Sequence, residues 1–300
     1  MDWNQAIEEY KSYLKIERGL SMNSISSYED DVVSLKDYLL NNNVKESLID
    51  CSSETINSFI YSYSKKNSSR SQARKISGLK SFFKFLVFEG YLKTSPMSNI
   101  ESPKLGRKLP DILNVEEISK MINSIDEKEN FGQRNKTIIE ILYGTGIRVS
   151  ELIELRISNI FFKENIIRVL GKGEKERFVP LGIKAKKSIN DYINTKRSLQ
   201  RVDESSNDIL ILSKYGKKLS RHMIFTLIRN ISKNCGINKK ISPHTFRHSF
   251  ASHLLKNGAD LRSIQLILGH ENITTTEIYT HLDSKHLLSV MKKYHPRHEE

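Results

Sequence analysis

The chain has 300 residues, a length that suggests two domains of ordinary size. Hydrophobic residues make up 38% of it and charged residues 28%, which excludes an intrinsically disordered chain. Its longest apolar runs, such as residues 85–88, have four residues, whereas a membrane-spanning helix needs roughly 20. The acidic start lacks the pattern of a signal peptide, and two cysteines are too few for a disulfide framework. We therefore expect a reducing, cytoplasmic compartment.

Basic residues exceed acidic ones by 13, and the excess is concentrated in the second part of the chain. Up to residue 105 there are 14 basic and 13 acidic residues, a net charge of +1; from residue 106 there are 34 and 22, a net charge of +12. A protein with a pI near 9.5 indicates a polyanionic partner, most often nucleic acid. A merely solvated surface is the alternative that charge alone leaves open.

The first hundred residues predict four amphipathic helices, because apolar residues recur there at three- and four-residue steps. The fourth, over residues 69–88, has an apolar stripe on one side and only basic charges opposite. Those charges are Arg70, Arg74, Lys80 and Lys84. Since solvated faces usually mix charges of both signs, we interpret this side as a DNA-phosphate contact, with a lysine-rich solvent face as the alternative.

Residues around 101–110 predict an extended linker, because prolines and basic residues cluster there. This divides the chain into a helical domain over residues 1–100, a linker over 101–110 and a second domain over 111–300. In the second domain we predict helices at about 114–125 and 135–143, and a β-hairpin over 165–181.

The remainder of the second domain predicts helices, the last at about 284–294, and residues 209–212 are a candidate third strand. The fold class is therefore mainly α with a small β-sheet.

Several residues of the second domain stand where they could bind an anion. Arg148 follows the break at Gly146 and starts a helix, and Lys172 stands at the tip of the predicted hairpin. His244 and Arg247 share the first turn of a helix that begins after Ser242. His244 and His248 lack a convincing third ligand, so we predict no metal site.

Five segments, in order and spacing, resemble the tyrosine site-specific recombinases, and among them the bacterial Xer recombinases. They are residues 144–152, 171–173, 242–254, 268–270 and 275–281. The resemblance extends over essentially the whole chain, and the ending at residues 294–297 is more similar to the XerD branch than to the XerC branch. It implies a helical core-binding domain followed by an α+β catalytic domain, closing around DNA as a C-shaped clamp.

The resemblance also implies six catalytic residues: Arg148, Lys172, His244, Arg247, His270 and Tyr279. Tyr279 would be the nucleophile that attacks a DNA phosphodiester and forms a 3′-phosphotyrosyl link, leaving a free 5′ hydroxyl. Arg148 and Arg247 would hold the non-bridging oxygens.

The three other residues would handle protons and hydrogen bonds. His270 would donate to the phosphate, Lys172 would protonate the departing 5′ oxygen, and His244 would assist proton transfer at the tyrosine. No cofactor is expected, because the phosphotyrosyl ester conserves the energy of the broken bond.

The resemblance implies partners as well. Four protomers would assemble on two DNA sites through docking of the C-terminal helix, with a second Xer recombinase as a candidate partner. A cell-division DNA translocase would activate a reaction that resolves chromosome dimers at segregation. The alternatives are a phage or transposon integrase, a type IB topoisomerase and a catalytically silent architectural DNA-binding protein.

Overall fold

The computed structural model describes residues 2–44, 46–106, 111–171, 175–269 and 281–298. The chain forms two compact units, residues 1–108 and residues 109–300. Across the described ranges, no helix combines the length and apolar character that crossing a bilayer would require.

Within its described residues, the first unit has four helices, as the periodicity predicts. They are α1 (Trp3–Ile16), α2 (Met22–Asn41), α3 (Ser53–Ser64) and α4 (Ser69–Phe88). A serine or aspartate side chain accepts a backbone N–H at the start of each helix, which satisfies one of the unpaired donors there. The apolar stripe of α4 forms the centre of the core, where Phe82 and Phe83 are fully buried and the Tyr10 ring meets Phe82 edge-on.

The second unit combines eight α-helices with one small sheet among the residues that the structure describes. The helices are α5 (Val115–Asn123), α6 (Gly132–Thr145), α7 (Val149–Ile153), α8 (Ile183–Tyr192), α9 (Arg221–Asn234), α10 (Pro243–Lys256), α11 (Leu261–Leu268) and α12 (His281–Tyr294). The strands are β1 (Ile160–Phe161), β2 (Ile166–Leu170) and β3 (Glu176–Pro180), in antiparallel order β1-β2-β3. The fold class is thus mainly α with a small β-sheet, as predicted.

The predicted hairpin is confirmed, with Ile167 opposite Val179, but the third strand is not where the sequence indicated. Residues 209–212 were the candidate; the sheet instead adds β1, which a short connection joins to β2. Ile209 and Leu212 make only isolated bridges, and the Leu210 N–H donates to the Leu155 carbonyl. This apolar run is therefore a buried loop paired with the chain that follows α7.

The C-terminal helix α12 packs into the core of its own unit through Leu287, Val290 and Met291. The chain after α12 also contacts the core of this unit, because Arg297 forms an ion pair with the buried Glu140 of α6. His295 is buried between these contacts: its Nε2 donates to the Tyr143 carbonyl, and its Nδ1 accepts the Arg297 N–H. Both ring nitrogens therefore have partners that suit the neutral imidazole.

The buried His295 predicts a loss of stability at acidic pH. Burial, followed by the charge of His298, lowers its pKa from 6.5 to about 3. Between these two values the unfolded chain binds a proton that the folded chain does not. The free energy of unfolding should therefore fall as the pH falls below 6.5, by up to ~1.4 kcal/mol per pH unit.

The measurement is denaturant unfolding between about pH 7 and pH 5. In His295→Gln this pH dependence should be shallower than in the wild type, whatever its stability at neutral pH. His222→Gln, at an exposed histidine, is the matched control and should keep the wild-type slope. Equal slopes for all three proteins would contradict the prediction.

Candidate active site

The site is built around a sharp turn between α6 and α7. Gly146 caps the C-terminus of α6, and its φ of +63° favours glycine. A Cβ at this position would also lie 2.6 Å from Cδ1 of Phe250 in α10. Glycine therefore permits both the turn and the close packing, and the chain leaves it to place Arg148 at the N-cap of α7.

Arg148 and Arg247 converge on the end of α11. Arg247 lies in the first turns of α10; its Nη1 donates to the Gly146 carbonyl at 2.9 Å and its Nη2 to the Leu268 carbonyl at 2.6 Å. Arg148 Nη2 donates to the next carbonyl, that of Gly269, at 3.1 Å. Two arginines that are 99 positions apart in the sequence thus reach consecutive peptide groups.

The remaining predicted catalytic residues are only partly within the described chain. His244 is exposed in the first turn of α10, one turn before Arg247. Lys172, His270 and Tyr279 lie outside the described residues. The carbonyls that accept hydrogen bonds from the two arginines belong to Leu268 and Gly269, which precede position 270 in the sequence.

A buried ion pair that sequence reasoning missed supports this arrangement. Arg177 of β3 donates from both terminal nitrogens to the Glu151 carboxylate, at 2.7 and 2.9 Å. Glu151 also accepts the Arg148 backbone N–H at 2.7 Å and its Nη1 at 2.9 Å. One carboxylate therefore fixes two arginines, one of them buried and one partly exposed.

Both missed residues leave a signal in the sequence. Glu151 stands three residues after the N-cap Arg148, which is the spacing of a capping box. Arg177 occupies a core-facing position of β3, two residues before the buried Val179. An arginine on the apolar face of a strand needs a buried acceptor, but the sequence alone does not say which residue provides it.

Arg177 also contacts the end of α11. Its Nε donates to the Ile267 carbonyl at 3.1 Å, and a Cβ on Gly269 would lie 2.9 Å from its Cδ. The three arginines therefore donate to the carbonyls of residues 267, 268 and 269.

The electrostatics of the site favour an anion. Three guanidinium groups and one carboxylate leave a net charge of +2 among Arg148, Glu151, Arg177 and Arg247. Burial, followed by the charges of Arg148 and Arg177, lowers the pKa of Arg247 to about 10. A buried cation of this kind is stabilised by an anionic ligand.

Two titratable groups respond to this charge. Burial would raise the pKa of Glu151, but hydrogen bonds and charge from Arg177, with those from Arg148, hold it below its usual range. Although His244 is accessible to solvent, partial desolvation by the surrounding protein lowers its pKa, and nearby His248, Arg247 and Arg148 lower it further. His244 is therefore neutral at physiological pH and can accept a proton.

The predicted DNA-contacting residues all lie on α4 of the first unit. Arg70 and Lys84 are exposed, Lys80 is partly exposed, and Arg74 is held by Asp31 of α2.

The chain matches known protein families and relatives over most of its length. Residues 111–286 match the phage integrase family, and residues 7–90 match the N-terminal SAM-like domain of phage integrases. The tyrosine recombinase XerD of Listeria monocytogenes serotype 4b is 40% identical over 298 residues, which cover 98% of this chain and 99% of the relative. XerD of Staphylococcus epidermidis RP62A is 39% identical over 301 residues, with the same coverage.

The chain belongs to the tyrosine recombinases. It is a site-specific recombinase, an enzyme of the class that breaks and rejoins DNA with a tyrosine nucleophile, and the predicted resemblance to the Xer family is confirmed. A crystal structure of XerA recombinase is 30% identical over 99% of this chain and 100% of its own, with a TM-score of 0.51.

A structure of XerH bound to a palindromic difH substrate shares the fold. Its TM-score is 0.71, with 24% identity over 95% of this recombinase and 84% of that chain.

The buried carboxylate of Glu151, which holds two arginines, predicts that Glu151 and the nearby Glu154 differ in their contribution to the free energy of unfolding. Glu151→Gln should lower the free energy of unfolding by about 3 kcal/mol, because it removes the charge that compensates a buried arginine. Glu154→Gln, at the exposed partner of Lys218, should cost less than about 1 kcal/mol. Urea unfolding of the two variants beside the wild type measures both effects, and similar stabilities would show that the buried carboxylate is not needed.

Proposed function

We propose that Arg148, Lys172, His244, Arg247, His270 and Tyr279 form the catalytic site of this recombinase, with Tyr279 as the nucleophile. The observation that supports the proposal best is the convergence of Arg148 and Arg247 on the carbonyls of Leu268 and Gly269. These two side chains come from the start of α7 and from α10, yet both donate to carbonyls of the two residues that precede position 270 in the sequence.

In the proposed reaction the two arginines bind the scissile phosphate. Their forked N–H groups fit the non-bridging oxygens, and each charged donor stabilises the pentacoordinate transition state by about 3 kcal/mol. The buried Arg177 neutralises Glu151, so the positive charge of the partly exposed Arg148 remains available to the phosphate.

The proton steps follow from the expected roles. Tyr279 Oη attacks phosphorus, His244 accepts the phenolic proton, and the 3′-phosphotyrosyl bond forms as the bond to the 5′ oxygen breaks. Lys172 protonates that oxygen. In the second half of the reaction a 5′ hydroxyl from the partner strand gives its proton to Lys172 as it attacks the same phosphorus. The bond from phosphorus to Tyr279 Oη breaks, and His244 returns the proton to the phenolate.

The substrate in this proposal is double-stranded DNA, and the assembly is a tetramer on two DNA sites in which a second Xer recombinase is the candidate partner, with a cell-division DNA translocase as activator. The activity would resolve chromosome dimers in the cytoplasm. The likeness to XerD proteins and the fold shared with XerH bound to its difH substrate support it.

We assign the proposed roles to three parts of the chain: core binding to residues 1–100, linkage to 101–110 and catalysis to 111–300. The basic face of α4 supports the first assignment. Docking of α12 on a neighbouring protomer would require exchange of the helix, since Leu287 and Met291 are buried in its own unit.

The target sequence is first identified as the genomic DNA that the purified protein protects from nuclease digestion. The test then uses a nicked duplex that carries this sequence. The wild type should form a protease-sensitive covalent adduct on denaturing gels, and Tyr279→Phe should bind the duplex without forming one. Tyr215→Phe, at an exposed tyrosine of the same unit, is the control and should form the adduct normally. An adduct from Tyr279→Phe would refute the assignment of the nucleophile.

The arginines have their own test on the same substrate. Arg247→Lys keeps the charge but loses the fork that reaches both Gly146 and Leu268. We expect adduct formation to slow by about 10²-fold or more, with much smaller loss of DNA affinity. A rate equal to that of the wild type would remove Arg247 from the catalytic site.

A further inference from the structure

A carboxylate is buried between α2 and α4 of the first unit. Asp31 is 1% exposed and accepts hydrogen bonds from Arg74 Nη1 at 2.9 Å and Arg74 Nη2 at 2.5 Å. Lys75 Nζ lies 2.9 Å from the same carboxylate. One buried anion therefore holds two adjacent cations of α4.

The two cations differ in where they lie and in what else they contact. Lys75 is buried, and its ammonium also donates to Ser34 Oγ at 3.0 Å and to the Asp30 carbonyl at 3.3 Å, which accounts for all three of its donors. The Arg74 side chain is 50% exposed. Lys75 thus compensates the Asp31 charge inside the unit, and the excess positive charge of the cluster lies on Arg74 at the surface.

Arg74 keeps donors for a further acceptor. Three of its five N–H groups go to Asp31 and to Ser27 Oγ, which leaves two that donate to no acceptor among the described residues. Its guanidinium is held on two sides while it remains half exposed. A half-exposed, oriented guanidinium with donors to spare is suited to a phosphate group.

Gly78 makes this arrangement possible. A Cβ at position 78 would lie 2.1 Å from Asp31 Oδ2 and 2.8 Å from its Cγ. Gly78 lies one turn after Arg74 on α4. Because it has no side chain, the Asp31 carboxylate can occupy the space beside it. The glycine therefore has a local reason in a helix where this residue is otherwise unfavourable.

We propose that Asp31 is a positioning residue for DNA binding: it holds the Arg74 guanidinium at the surface of α4 ready for a backbone phosphate, and Lys75 prevents Asp31 from cancelling the charge of Arg74. This rests on the proposed function of α4 as a DNA-contacting helix. A rigid guanidinium loses less conformational entropy on binding than a free side chain does.

For substitution of Asp31, the proposal predicts a change in DNA affinity opposite in sign to the change that net charge alone predicts. Asp31→Asn makes the protein more positive, so simple electrostatics predicts tighter binding to DNA. Positioning predicts weaker binding, by about tenfold, because Arg74 loses its charged anchor. Asp30→Asn makes the same charge change at the exposed neighbouring residue and should bind as tightly as the wild type or slightly more tightly.

The experiment measures binding of the full chain to the protected duplex by fluorescence anisotropy across a salt series. Besides the lower affinity, Asp31→Asn should reduce the slope of log K against log salt by about 0.9, the value for one lost phosphate contact. A merely structural role of Asp31 would leave this slope unchanged. Wild-type affinity and slope in a folded Asp31→Asn protein would overturn the proposal.

A second comparison covers the case in which Asp31→Asn does not fold, since it leaves Lys75 buried and unpaired. The double variant Asp31→Asn/Lys75→Met keeps the wild-type net charge and removes both buried ions. Arg74→Gln should weaken binding in the wild type and have little further effect in the double variant. Equal effects of Arg74→Gln in both backgrounds would overturn the role of Asp31.

The underlying function of α4 is tested separately by Arg70→Gln, Arg74→Gln and Lys84→Gln. These three side chains lie at the surface, and Lys75 still pairs with the buried Asp31 when Arg74 is replaced. Wild-type affinity of all three would refute DNA contact by α4 and with it the positioning role. Weaker binding of Arg74→Gln combined with normal binding of Asp31→Asn would refute the positioning role alone.

Discussion

A buried cation must have an acceptor within reach, and this requirement organises the second unit. Arg177 and Arg247 are almost fully enclosed, and the acceptors that compensate them are one carboxylate and the carbonyls at the end of α11 and at Gly146. These bonds connect α7, β3, α10 and α11, which are separated in the sequence. The geometry of the proposed site and the packing of the unit are therefore the same set of contacts.

The two units share the same arrangement of buried charges. Each has one buried carboxylate that holds a buried cation and a more exposed arginine: Asp31 with Lys75 and Arg74, and Glu151 with Arg177 and Arg148. In each unit the buried cation compensates the carboxylate, and the exposed arginine keeps its charge. A glycine provides the room in both cases, Gly78 beside Asp31 and Gly269 beside Arg177.

Local sequence signals predicted most of the helices, because their caps and apolar stripes lie within a few residues of one another. The capping box at the start of α5 is an example: Asn114 and Glu117 lie only three residues apart, and the side chain of each accepts the backbone N–H of the other. Arg148, His244 and Arg247 became candidate site residues because they stand in motifs with fixed spacing.

The carboxylates that hold the arginines were not predicted, because each pairing joins segments that the sequence does not relate. Asp31 and Arg74 are 43 residues apart, and Glu151 and Arg177 are 26 apart. Periodicity places a residue on a face but does not identify its partner across the core. The prediction of a strand at residues 209–212 was wrong for a related reason. A short apolar run fits a strand and a buried loop equally well, and only the tertiary pairing decides between them.

The bonds from Arg148 and Arg247 to the carbonyls of Gly269 and Leu268 carry a thermodynamic consequence. In the proposed reaction, an N–H group that donates to one of these peptide oxygens must release it before it can donate to a phosphate. The bound diester would therefore compete with the carbonyls for these N–H groups, and a transition state with more negative charge would compete more strongly. Under the proposed function, the end of α11 would thus weaken binding of the unreacted DNA more than binding of the transition state.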